Sequence, residues 1–406
     1  MIKKKISIGF LLVMASIQAV TANLLHPLEP IFLQELEMPD YMFGVIFAAM
    51  ALTNFLFSPF WGRLTGSLGE IKVLTFCFIG YGAGQAVFGM VSSKIGLILA
   101  RMLSGIFIGG LSVSILSYIM TYSPSPEARE KNLVTYATLN AVFTPFGYLV
   151  GGYLGDWSIP ATFVIQAIGL AGIGVAIGTF LKDNHEAGEK IQFVRVFKEA
   201  NPIKAFAMLG GALPAYIAVF LVICSLTSFG QTCFDQSFNY YIRDVFSFAS
   251  SSSGLVKAAI GVITFIVNST LCLAIMRKYD KRSALCGIYG AMALTTVAVI
   301  IFTDATPYVI SGIIYYAVYA MALPLIQSNL ADIRNRTDQT IIGLYNSFRA
   351  AGMVCGSLFA GVIYSIGQKL PFFSAGISFV IITVLTYFYG KLSRKSMSAE
   401  AQQTKI

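Results

Sequence analysis

Twelve apolar runs set the limits on this chain, near residues 6–27, 42–61, 71–91, 95–120, 133–155, 160–181, 213–238, 254–276, 284–302, 307–328, 341–365 and 371–390. Most are close to the ~20 residues a helix needs to cross a bilayer core. Backbone in hydrocarbon must satisfy its own N–H and C=O groups, so runs of this length are expected to be helices. Connections of mostly 5 to 14 residues leave no room for a soluble domain between them. The expected fold is an all-α membrane protein of twelve transmembrane helices.

Composition agrees. Of 406 residues 56% are hydrophobic and 12% charged, against about 25% charged in a typical soluble domain. That excludes a soluble enzyme and a nucleic-acid-binding domain. The six cysteines lie in apolar stretches with no C-x-x-C spacing, and the two histidines, His26 and His185, are far apart, so no metal site is expected. No Gly-rich phosphate loop is present, which argues against ATP as the direct energy source, and no cofactor is expected. Lys3 to Lys5, the first apolar run and Val20-Thr21-Ala22 loosely fit a signal peptide, but eleven further spans follow, and the segment reads as a retained first span.

The net charge of +9 is sided. With the N-terminus in the cytoplasm, 22 of the 28 Lys and Arg residues fall on that side. Only Lys94, Arg243 and Lys369 fall outside, and Arg101, Lys257 and Arg349 lie within spans. Basic residues accumulate in cytoplasmic loops, so both termini are expected to be cytoplasmic, in a cell membrane.

The two halves repeat at an offset of about 209 residues. Tyr136-Ala137-Thr138-Leu139-Asn140-Ala141 aligns with Tyr345-Asn346-Ser347-Phe348-Arg349-Ala350, and Gly147 and Gly152 fall on Gly356 and Gly361. Two pseudo-symmetric six-helix bundles follow: residues 1–182 and 212–392, with a charged cytoplasmic linker at 183–211 and a cytoplasmic tail at 393–406. Rocking of two such repeats about a central site is how many secondary transporters alternate access.

Three local motifs add to this. The loop after the second span reads Gly62-Arg63-Leu64-Thr65-Gly66-Ser67-Leu68-Gly69-Glu70; the fourth span carries Arg101-Met102-Leu103-Ser104-Gly105; the fifth carries Gly147-Tyr148-Leu149-Val150-Gly151-Gly152. The chain resembles the major facilitator superfamily over nearly its whole length, in particular its twelve-span drug:proton antiporters. The loop keeps Gly62, Leu64 and Gly69 of the G-x-L-a-D-R-x-G-R/K signature, but Gly66 replaces its aspartate, and Ser67 and Glu70 its basic residues. The fifth span matches the G-P-x-x-G-G antiporter motif with Tyr148 in place of proline. The resemblance implies that Gly62, Arg63, Gly69, Gly147, Gly151 and Gly152 serve conformational change, that Arg101 takes part in proton coupling, and that transport is efflux.

Ionisable side chains are costly at membrane depth and tend to pair or line a cavity. Asp235 is the one acid well inside a span, on a polar face with Ser228, Gln231 or Thr232, and Asn239. Gln18, Thr21, His26 and Glu29 form a similar face on the first span. Asp235, Arg101 and one of His26 or Glu29 are expected to bind the coupling proton, with a buried Asp235–Arg101 pair as the structural alternative. Gln18, Thr21, Gln231, Tyr315, Tyr319 and Arg349 are the expected substrate contacts, with packing the competing role for Arg349 and the tyrosines. Lys257 is expected to snorkel to the interface. The leading reading is a monomeric, proton-coupled exporter of lipophilic or amphiphilic small molecules; the alternative is a carrier of one small polar metabolite, such as a sugar or organic anion.

Overall fold

The computed structural model describes residues 7–182, 214–334 and 340–403. The linker expected at 183–211 lies outside them, as do the side chains of the tail. Among the described residues fourteen helices follow in order: α1 Ile8–Ala22, α2 Glu29–Glu35, α3 Met42–Leu68, α4 Glu70–Met90, α5 Lys94–Tyr122, α6 Pro126–Trp157, α7 Ile159–Phe180, α8 Ala215–Asp244, α9 Ser250–Lys278, α10 Lys281–Ile301, α11 Ala305–Ala320, α12 Ala322–Arg334, α13 Thr340–Tyr364 and α14 Leu370–Gln403. Among the described residues eleven spans, with α11 and α12 counted as one, are long and apolar enough to cross a membrane, and α1 is a shorter apolar helix.

Serine punctuates the connections. The side chains of Ser7, Ser93, Ser125 and Ser158 accept from the backbone N–H of Phe10, Gly96, Ala128 and Ala161 at 3.1–3.3 Å, capping α1, α5, α6 and α7. Pro126 and Pro160 stand in the first turns of α6 and α7, where their missing N–H costs nothing.

Three spans depart from the pattern of unbroken runs. The first is interrupted: α1 ends at Ala22, turns bonded from Val20 to Leu25 fill the gap, and α2 restarts at Glu29. Pro27 and Pro30 supply the reason, since each lacks the N–H that a continuous helix would use. The tenth breaks at Met321, and α9 contains a π-helical turn at Asn268–Cys272. The last helix continues past residue 390 to Gln403.

The contacts fall into two compact units. One takes in α1 to α7 and Ile242–Gly261; the other takes in residues 214–241 and the described residues from Val262 onward. In the first, α3 packs on α5, α4 on α5 and α7, and α1 on α6. In the second, α10 packs on α11, α12 and α14. Large apolar side chains such as Phe76, Val134, Ile168, Leu294 and Ile377 face outward, while Thr53, Ser104, Ser114, Gln166 and Thr296 are buried. This inversion of the soluble pattern suits a lipid solvent, where small and polar residues draw helices together.

The duplication reappears as packing. A Cβ on Gly147 would strike the carbonyl oxygen of Val20 on α1, and one on Gly356 that of Phe229 on α8. Both members of the second contact lie 209 residues after their counterparts. Each half therefore presses a glycine of its fifth helix against the backbone of its first.

Candidate functional site

Within the first unit Glu29 and Arg101 form an ion pair. Glu29 opens α2, in the first turn, where the helix dipole favours a carboxylate. Its Oε2 lies 2.6 Å from Nη2 of Arg101, a residue seven positions into α5. The guanidinium stacks over the Phe88 ring at 3.9 Å, and its Nη1 reaches the Met50 sulfur at 3.8 Å. Phe32, next on α2, packs against Phe88 and Phe163, closing an aromatic wall beside the pair. Arg101 is buried at 5% exposure, and its Nε and the Oε1 of nearby Gln85 are without hydrogen-bond partners. His26 sits edge-on to Tyr148 at 5.6 Å, and the ammonium of Lys257 lies 5.5 Å over the same ring.

Within the second unit, α8 and α11 are joined by two hydrogen bonds. Gln231 and Asp235 lie one turn apart on α8, and Tyr315 and Tyr316 are neighbours on α11. Tyr315 donates to Oε1 of Gln231 at 2.7 Å, and Tyr316 to Oδ1 of Asp235 at 2.5 Å. Phe234 stacks on Tyr315 with centroids 3.5 Å apart, and Phe238 meets Tyr316 edge-on. Tyr315 is fully buried, whereas Tyr319, one turn further, is half-buried. Arg349 on α13 is exposed.

Arg101 thus has its acid partner in Glu29, and Asp235 has a phenol. Gln18 on α1 is half-exposed. Thr21 is turned to the protein: its hydroxyl donates to the Ile17 carbonyl at 2.8 Å, its methyl lies against Gly169, and its own carbonyl accepts from Gln166 at 3.0 Å.

The motif glycines stand at close approaches. Gly151 lies against the backbone of Leu24, and Gly152 against Ser250 and Gly254 at the start of α9. Asp156 accepts from the Ser251 N–H at 3.3 Å nearby. Gly69 joins α3 to α4 at φ 93°, a conformation costly for any residue with a Cβ. Gly62 lies 3.7 Å, measured from an added Cβ, from Val113 on α5. Arg63 is exposed on α3.

Sequence reasoning passed over two residues. Glu70, noted only as a departure from the loop signature, is buried at 7% exposure, and its Oε1 accepts from Ser117 and Thr121 on α5 at 3.2 and 3.1 Å. Lys369, assigned to a loop, donates to the carbonyls of Val299 and Phe302 at 2.8 and 2.9 Å and sits within 5 Å of the Tyr241 and Tyr308 rings. A lone carboxylate opening a span was the available signal for the first; nothing local signalled the second. Among the described residues no three His, Cys, Asp or Glu side chains come together as a metal-binding group.

The family model described as "Major Facilitator Superfamily" matches residues 10–350. Multidrug resistance protein 2 of Bacillus subtilis (strain 168) is 20% identical over 367 residues, covering 90% of this chain and 90% of the relative. Quinolone resistance protein NorA of Staphylococcus aureus (strain COL) is 22% identical over 383 residues, covering 92% and 95%. Among solved structures, the nucleoside transporter NupG superposes with a TM-score of 0.73 at 12% identity, covering 94% of this chain and 98% of that one.

Proposed function

The chain belongs to the major facilitator superfamily, a multi-pass membrane transporter rather than an enzyme, and from that membership we propose that it exports lipophilic or amphiphilic compounds in exchange for protons. The proposal places it in a cell membrane as a monomer, with both termini cytoplasmic. It takes residues 1–182 and 212–392 as the two moving bundles, joined by a linker at 183–211, with 393–406 as the tail.

One observation carries the reading: the carboxylates of Glu29 and Asp235 are each held by a group that protonation would release. A proton on Glu29 removes the charge that Arg101 faces across 2.6 Å. A proton on Asp235 weakens the acceptor that ties Tyr316, and so α11, to α8. Each event alters a helix–helix contact, which is what coupling a proton to a conformational step requires. The multidrug and quinolone resistance proteins among its relatives support a drug-like substrate.

The test is transport into inside-out membrane vesicles, with a panel of dyes and drugs and an imposed proton gradient. Accumulation of several unrelated amphiphiles, abolished by a protonophore, is the expected result. A second reading, a carrier of one small polar solute, is favoured by Tyr148 standing where the antiporter motif has proline. Uptake of a single sugar or organic anion with no amphiphile transported would establish that reading instead.

A further inference from the structure

Two buried polar atoms beside the Glu29–Arg101 pair have no hydrogen-bond partner among the described residues: Nε of Arg101 and Oε1 of Gln85. Gln85 is 1% exposed and Arg101 5%. An amide oxygen withdrawn from water and left unbonded costs its full desolvation, so it calls for an explanation. Packing sets the two side chains on facing helices at one level. A Cβ on Gly84 would strike Ser104, one on Gly80 would strike Phe107, and the Arg101 guanidinium lies 3.9 Å from the centroid of Phe88. Residues 80, 84 and 88 of α4 therefore stand against 107, 104 and 101 of α5. Gln85 falls between the last two of these contacts, three residues before the ring on which the guanidinium rests. Side chains three apart on a helix start about 5–6 Å from each other, which is within the reach of an arginine.

The demand on acceptors here changes with protonation. With Glu29 ionised, its carboxylate answers the guanidinium across 2.6 Å. A proton on Glu29 leaves a neutral acceptor, and hydrogen bonds without a charged acceptor are weaker. The buried guanidinium then needs a further acceptor. α3 presents the Met50 sulfur, a weak one, and α2, α4 and α7 present the rings of Phe32, Phe88 and Phe163. Tyr81, one turn before Gln85, is the ionisable side chain on that face of α4, buried and hydrogen-bonded to the Gln85 side chain. That bond uses the amide nitrogen, since Oε1 is unbonded, and so fixes which end of the amide is open. His26, three residues before Glu29, stands edge-on to Tyr148 of α6, whose ring the Lys257 ammonium of α9 also approaches.

We propose that Gln85 is the second acceptor of Arg101: a proton on Glu29 passes the guanidinium from that carboxylate to Oε1 of Gln85, and loss of the proton returns it. Gln85 is then a positioning residue that stabilises protonated Glu29 and sets the pH at which the site loads. The inference rests on the proton-coupled reading and adds to it the group that holds the arginine in the loaded state.

Infrared titration of the purified protein reads the protonation midpoint of Glu29, from the carboxylic C=O band that Glu29→Gln removes. Gln85→Met keeps the volume and deletes the acceptor, and should lower that midpoint by about one pH unit or more, a tenfold loss of proton affinity. A merely structural Gln85 requires the opposite sign, because a less polar surrounding disfavours the charged carboxylate. Gln85→Asn keeps the amide but shortens its reach; it should also lower the midpoint, and it serves where Gln85→Met does not fold. Unfolding temperatures give a second measure. Gln85→Met should cost more in the Glu29→Gln background, where Arg101 faces no charge, than in the wild type. A midpoint unchanged or raised, no titrating Glu29 band, or equal losses in the two backgrounds overturns the proposal and leaves export standing. Wild-type vesicles that accumulate no amphiphile would defeat the export reading instead, and the titration would still decide the role of Gln85.

Discussion

The phenol of Tyr316 donates to the carboxylate of Asp235 across 2.5 Å, joining α11 to α8. Hydrogen bonds to charged groups contribute about 1.5–3 kcal/mol. Tyr316→Phe is therefore expected to lower stability in detergent by that amount and to slow transport without ending it. Asp235→Asn keeps an acceptor but carries no proton, and should end proton-driven transport while folding normally. Vesicle uptake and thermal unfolding of both variants decide this, and full proton-driven uptake by Asp235→Asn would refute a coupling role.

Arg101 and Glu29 make a different prediction. Removing one partner strands a buried charge and costs about 3–5 kcal/mol, whereas an apolar pair of similar volume can be neutral. Arg101→Ala should destabilise the protein severely. The double variant Glu29→Leu, Arg101→Met should recover most of the stability and none of the coupling, as read by unfolding temperature and by substrate-induced proton release.

Gly147 and Gly356 test the internal repeat. Each faces a carbonyl oxygen, which cannot swing aside as a side chain does. Gly147→Ala and Gly356→Ala should each cost about 1–3 kcal/mol by overpacking, and by similar amounts. Two unequal losses would show that the halves share a sequence pattern without sharing its mechanical demand.

Lys369 sets a pH dependence. Burial pushes its ammonium down from the ordinary 10.5 to about 8. The unfolded chain then holds this proton more tightly than the folded one, so stability from this group is gained as pH rises from about 8 toward 10.5. A neutral amine still donates to the Val299 and Phe302 carbonyls, so the tie to the end of α10 survives. The unfolding temperature of the wild type relative to Lys369→Met should rise between pH 7.5 and pH 9.5.

Hydropathy made the spans legible, because a bilayer demands length and apolarity before anything else. It could not show that the first span breaks between Ala22 and Glu29, although Pro27 and Pro30 were the visible cause. The candidate residues were also visible, since an ionisable group in an apolar run stands out. Their pairing was not: whether Arg101 meets Glu29 or Asp235 depends on helix rotation and tilt, which one chain's pattern leaves free. Glu70 was hidden for a similar reason, as its partners Ser117 and Thr121 are unremarkable on α5 until α4 is laid beside them.

The break in the first span gives α2 the character of a short lever. Glu29 stands at one end, bound to Arg101; Gln34 stands about 7.5 Å along the same rod, where it accepts from Arg243 at 2.9 Å and approaches Asp244 at 3.4 Å. A seven-residue helix does not bend, so a displacement that frees the carboxylate at one end must also strain or release the tether at the other.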